Sequence, residues 1–144
     1  MGGTTISLVR SIDRAWDFYG ADPAALNCPD LAAKLREDIL SAGFTLAIDP
    51  PQFYRFSGGG NGISFLAMLM ESHAAIHTAP EKGNCLEITI HTCEVSGLDI
   101  DTTPALKTKR LKELWVKRFN PTSVKTFRAR PRADQQDDVA ASAA

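Results

Sequence analysis

Residues 63–93 read ISFLAMLMESHAAIHTAPEKGNCLEITIHTC. From Cys85 to Cys93 the alternation is unbroken. Leu86, Ile88, Ile90 and Thr92 fall on one side, and Cys85, Glu87, Thr89, His91 and Cys93 on the other, which is the period of a strand with one face in a core. Glu81-Lys82-Gly83-Asn84 has the composition of a turn, and residues 72–78 ahead of it are extended as well. Ile63 to Met70 is apolar on both sides and predicts a central strand buried on both faces. Three strands joined by short connections make an antiparallel sheet.

The flanking sequence supplies the rest. Ile12 to Gly20 predicts a strand that ends at a Gly-Ala-Asp-Pro turn. Asn27 or Cys28 caps a helix with Pro29 in its first turn, Leu31, Leu35 and Ile39 mark its apolar face, and Gly43 stops it. Phe44, Leu46 and Ile48 alternate with Thr45 and Ala47 and predict a further strand, closed by Pro50-Pro51. Tyr54 and Phe56 lead into a glycine-rich loop at 57–62 that lacks the Gly-Lys-Ser/Thr ending of a phosphate loop. Thr103 and Pro104 open a second helix with Leu106, Leu111, Leu114, Trp115 and Phe119 as its stripe, and Asn120-Pro121 ends it. Ser123 to Arg130 reads as an edge strand. The expected architecture is an α+β two-layer sandwich, a mainly antiparallel sheet with two helices on one face. One domain over 12–130 is expected, between a frayed N-terminus (1–11) and a disordered, low-complexity tail (131–144).

The whole chain has 144 residues, 44% hydrophobic and 23% charged, enough for one hydrophobic core. No apolar stretch approaches the roughly 20 residues that span a bilayer, and no secretion leader is expected. Three cysteines, Cys28, Cys85 and Cys93, cannot all pair with one another, and free thiols point to a cytoplasmic protein. The net charge of −1 hides an asymmetry: residues 1–106 carry 13 acids and 6 bases, residues 107–132 one acid and 10 bases. The basic segment reads first as a solvated face. A nucleic-acid-binding module built on 107–132 is the non-enzyme alternative, and nucleic acid is the lesser expectation.

All three histidines, His73, His77 and His91, lie within 19 residues, with Glu81 among them and Glu71, Ser72 and Cys93 immediately beside them. Two chemistries are open on residue types alone. The histidines and Cys93 are possible metal ligands, but no CxxC or HExxH spacing accompanies them, and no metal is expected. Cys93 with a histidine base is a possible nucleophile, without a local signature in support.

The combination ESHAAIHTAPEKG (71–83) and CLEITIHTC (85–93), with DFYGADPAALN (17–27) and residues 42–72 upstream, resembles the prokaryotic S-adenosylmethionine decarboxylase proenzymes. The resemblance covers roughly residues 12–95. It implies a chain that cuts itself between Glu71 and Ser72. The Ser72 hydroxyl attacks the Glu71 carbonyl to give an ester, and elimination and hydrolysis leave a pyruvoyl group where Ser72 stood. That group is the implied cofactor, forming a Schiff base with the substrate amine and drawing electrons from the bond to CO₂. His77 matches the base that serves processing. Ser64 matches a hydroxyl that assists it. Cys93 matches the proton donor to the substrate carbon, a role a thiol can fill near neutral pH. Glu81 matches the residue that binds ribose hydroxyls, and Phe56 is the implied stacking partner of adenine. The implied product feeds spermidine synthesis. The implied assembly is a homodimer of processed pairs with active sites between protomers, without membrane attachment.

Two departures bear on the substrate. Ala79 stands where the family has a large aromatic that stacks on adenine, and Glu94 follows Cys93 where glycine is common. S-adenosylmethionine is the expected substrate. A free amino acid such as ornithine or arginine is the alternative on the same scaffold, and a non-catalytic relative is the second.

Overall fold

The computed structural model describes residues 10–57, 62–79, 82–94 and 103–127. Six strands form one sheet: β1 (Arg10–Tyr19), β2 (Gln52–Arg55), β3 (Ile63–Leu69), β4 (Ser72–Ala79), β5 (Cys85–Glu94) and β6 (Ser123–Phe127), in the spatial order β2-β3-β4-β5-β1-β6. Every pairing is antiparallel. The helices are α1 (Pro23–Leu26), α2 (Leu31–Ser41) and α3 (Pro104–Phe119). This is the expected two-layer α+β sheet with helices on one face, with a third, short helix added. Asp22 accepts from the Ala24 N–H, so the residues expected to be a simple turn make a one-turn helix, α1.

Alternation along the strands divides the sheet cleanly. Trp16, Phe18, Ile63, Phe65, Ala67, Leu69, Ala74, Ile76, Leu86, Ile88 and Ile90 are buried on the helical side. Each long helix meets them with residues four apart: Leu31, Leu35 and Ile39 from α2, and Leu111, Trp115 and Phe119 from α3. Thr103 accepts from the Leu106 N–H at the start of α3, and Asn120 takes the left-handed conformation that closes it. Arg118 donates two bonds, 2.5 and 2.7 Å, to the buried Asp38 carboxylate and ties α3 to α2.

Several expected boundaries move. The helix expected from Asn27 or Cys28 starts at Leu31 behind Asp30, because Asn27 caps the end of α1 instead. Phe44–Ile48 is not a strand. Leu46 makes an isolated bridge to Leu69, and backbone bonds link this segment to the β3–β4 hairpin, from Ala47 N–H to Met68 and from Met70 N–H to Thr45. β3 is buried on one face only: Leu66 and Met68 are 48% and 52% exposed. Its apolar outer face comes from these residues and not from a second layer of protein. Cys85, expected on the polar side, is fully buried beside its register partner Ala79. β6 is the expected edge strand and is described only as far as Phe127. The N-terminal stretch expected to fray gives up residues 10 and 11 to β1. The remainder of that stretch, the expected tail and the last residues of the expected domain lie outside the described residues.

Candidate functional site

The open face of the sheet collects the polar groups. Register fixes them in rows across the strands. One row runs Met68, His73, His91, Asp13 over β3, β4, β5 and β1. A second runs Tyr54, Ser64, His77, Glu87, Asp17 over β2 to β1. The histidines that are scattered in sequence are therefore two rungs of one ladder.

At the end of the sheet, β3 and β4 are joined by a two-residue hairpin, Met70-Glu71, with Leu69 paired to Ser72. Ser72 has φ 146°, a conformation that costs a residue with a Cβ about 1–3 kcal/mol. The Glu71 backbone and side chain are both held. Its carbonyl accepts from the Cys93 N–H at 2.9 Å. Its carboxylate accepts from Lys107 Nζ of α3 at 3.2 Å and from the Thr45 N–H at 3.4 Å. The peptide bond between Glu71 and Ser72 thus sits at a strained turn, with its carbonyl polarised by a backbone donor. This Cys93 N–H is a candidate group of the site that the sequence does not announce, because no side-chain pattern marks a backbone donor. Thr92, the register partner of Ser72, has a fully buried hydroxyl without a hydrogen-bond partner.

Ser72 Oγ lies 3.3 Å from His73 Nδ1. The His73 ring stacks on His91 at 5.5 Å and 19°, and His91 Nδ1 is bonded to the Asp13 carboxylate. Ser64 Oγ lies 2.7 Å from His77 Nδ1, and the Phe56 ring meets His77 edge-on at 6.1 Å. Tyr54 packs edge-on against Phe56, and both rings are exposed, 60% and 41%. Cys93 is half-buried on β5. Glu81 lies outside the described residues, as does the Glu94 side chain. Ala79 is nearly buried, so the absent aromatic leaves no open wall at that position. Among the described residues no group of three His, Cys, Asp or Glu side chains is placed to hold a metal ion.

The expected residues thus form two groups and not one. Ser72, Glu71 and Cys93 meet at the hairpin. Ser64, His77 and Phe56 meet at the other end of β3 and β4. His77 is five residues along β4 from Ser72, about 16 Å at the usual rise of a strand. Within one chain the two groups do not touch.

A family model described as S-adenosylmethionine decarboxylase matches residues 14–131. The chain belongs to this family. Three curated S-adenosylmethionine decarboxylase proenzymes are similar to it. The protein of Acetivibrio thermocellus is 37% identical over 78 residues, covering 54% of this chain and 59% of that one. That of Picrophilus torridus is 31% identical over 77 residues, 54% of this chain and 56% of that one. That of Thermococcus onnurineus is 34% identical over 74 residues, 51% and 50%. The chain therefore spans between 50% and 59% of the length of these curated decarboxylase proenzymes. The crystal structure of the Aquifex aeolicus adenosylmethionine decarboxylase has the same fold, with a TM-score of 0.64 at 22% identity over 83% of this chain and 88% of that one. The match to the decarboxylase family model takes in α3 and β6, which lie beyond the residues 12–95 that carry the resemblance in sequence. Among the described residues of this decarboxylase family member, no helix is long and apolar enough to cross a membrane.

Proposed function

We propose that the chain is a self-processing, pyruvoyl-dependent decarboxylase of S-adenosylmethionine, which supplies the aminopropyl donor for polyamine synthesis. The observation that carries this reading is the Glu71–Ser72 turn, with Ser72 at φ 146° and the Glu71 carbonyl held by the Cys93 N–H. That arrangement suits an N-to-O acyl shift. Ser72 Oγ bonds to the Glu71 carbonyl carbon, the carbonyl electron pair moves onto an oxygen that already faces an N–H, and the C–N bond then breaks to give an ester and a free amine. Part of the backbone strain at Ser72 is released as that bond opens. Residues around the turn thus fit the generation of a pyruvoyl group from the chain itself.

Removal of the Ser72 Cα proton then expels the Glu71 carboxylate, and hydrolysis completes the change. His77, hydrogen-bonded to Ser64, is the proposed base for that proton. Because His77 stands about 16 Å along the strand from Ser72 of its own chain, the base comes from a second copy. A homodimer packed through the open sheet face, where Leu66, Met68, Tyr54 and Phe56 are exposed, brings the two groups together. Once made, the pyruvoyl ketone supplies an electron sink for loss of CO₂ from an amine-bearing substrate. Cys93 returns a proton to the substrate carbon. Phe56, with Tyr54 beside it, offers the exposed aromatic surface for adenine, and Glu81 the carboxylate for ribose.

The basic segment is partly occupied within the fold. Lys107 bonds Glu71, Arg118 bonds Asp38, and Lys112 lies over the Trp16 ring. This favours the enzyme reading over a nucleic-acid-binding helix.

The test is mass under denaturing conditions. Wild-type protein should give chains of 71 and 73 residues, and release CO₂ from S-adenosylmethionine. Ser72→Ala should remain whole and inactive. A wild-type chain that stays intact and carries no reducible carbonyl refutes the reading.

A further inference from the structure

The structure offers a base for the first step that is separate from the one proposed for elimination. Among the described residues, His73 is the side chain with a basic atom in contact with Ser72 Oγ, at 3.3 Å. It projects from the open face, where it contributes nothing to the core. Its ring is fixed by stacking on His91, and His91 is fixed in turn by Asp13. The three come from adjacent strands β4, β5 and β1 in one register row, so the sheet itself sets their spacing. We propose that His73 is the catalytic base of the acyl shift in its own chain, and that His91 and Asp13 are its positioning residues.

The step balances within the chain. The Ser72 hydroxyl proton passes to His73 Nδ1 as Oγ bonds to the Glu71 carbonyl carbon. When the Glu71–Ser72 C–N bond breaks, the same proton goes from His73 to the Ser72 nitrogen, which leaves as an amine. His73 ends as it began, and ester formation needs no second copy. Elimination, by contrast, waits for His77 of a partner. The titratable side chains that share the open face of the sheet with His73 among the described residues are His77 on β4, Glu87, His91 and Cys93 on β5, Asp13, Asp17 and Tyr19 on β1, Tyr54 on β2 and Lys125 on β6; β3 presents Ser64, Leu66 and Met68 there.

This inference rests on the self-processing reading, and the experiment separates the two. In a His77→Ala chain the ester should form and persist, and hydroxylamine should cut it between residues 71 and 72. Adding His73→Ala should lower the rate of ester appearance about 10²-fold, the usual weight of a general base. It should also remove the rise of that rate with pH, because only an unprotonated imidazole takes up a proton. Added imidazole should restore part of the rate. His73→Gln, closer in bulk, should be equally slow without loss of fold. His91→Phe, which keeps a ring under His73 but loses Asp13, and Asp13→Asn should each shift the pH profile while leaving the step measurable. An unchanged rate and pH profile in both His73 variants overturns the assignment. If the His77→Ala chain forms no hydroxylamine-sensitive bond, and the wild type no 71-residue chain, the proenzyme reading itself falls.

Discussion

Ser72 combines two demands that conflict. The proposed self-processing needs a hydroxyl, and therefore a Cβ, at a backbone angle of φ 146° that suits glycine. Ser72→Gly and Ser72→Ala both lack the nucleophile and should both stay whole. They should differ in stability: glycine relieves the turn, so Ser72→Gly should be more stable than Ser72→Ala by about 1 kcal/mol. Thermal unfolding of the two uncut chains measures this directly, and equal midpoints would show that the turn carries no strain. The hydroxyl of Ser72 was legible from its neighbours Glu71 and His73. The strain was not, because it arises from a two-residue connection between strands whose register no local pattern sets.

Among the elements, β5 and α3 were the most legible, each for a local reason. β5 alternates between buried and open-face residues from Leu86 to Cys93. α3 begins at a Thr-Pro pair and ends at Asn-Pro, so its caps are written beside it. Residues Phe44–Ile48 alternate as well, yet they form a single bridge, since backbone bonds to the hairpin at Met68 and Met70 satisfy them in another way. The row His73, His91, Asp13 was out of reach of any local reading. Asp13 and His91 are separated by 78 positions, and only the pairing of β1 with β5 makes them neighbours. The same holds between helices. Arg118 and Asp38, 80 positions apart, form a bidentate pair in which the carboxylate side chain is 8% exposed. Arg118→Met should leave that charge buried and unpaired and destabilise the protein by about 3–5 kcal/mol. Arg118→Met together with Asp38→Leu should recover much of the loss. Denaturant unfolding of the three chains decides whether the pair is a tie between helices or a surface contact.

For the whole molecule, the separation of His77 from Ser72 makes a prediction that needs no structure to check. A His77→Ala chain keeps the proposed nucleophile and lacks the proposed base for elimination, and a Ser72→Ala chain keeps that base and lacks the nucleophile. Neither should be cut alone. After the two are unfolded together and refolded, mixed dimers should form, and the His77→Ala chains within them should be cleaved. With equal amounts and random pairing, about half of the His77→Ala chains find the complementary partner. No cleavage in the mixture would mean that His77 acts within its own chain or not at all.

The strand order gives the proposed cut a further consequence. A break between Glu71 and Ser72 divides the sequence into a piece with β1, β2 and β3 and a piece with β4, β5 and β6. In the sheet these are interleaved, because β1 of the first piece lies between β5 and β6 of the second. The pieces meet along three seams, β3 with β4, β5 with β1 and β1 with β6. They are locked together by topology as much as by affinity, and cannot part without dismantling the sheet. Before the cut, the hairpin holds β3 and β4 at a fixed local concentration, and reassembly is a first-order event. Afterwards two separate polymers must find each other and thread one strand between two others. The proposed cut is thus a one-way step for folding as well as for chemistry: the cut form would be held by the barrier to coming apart rather than by ease of return.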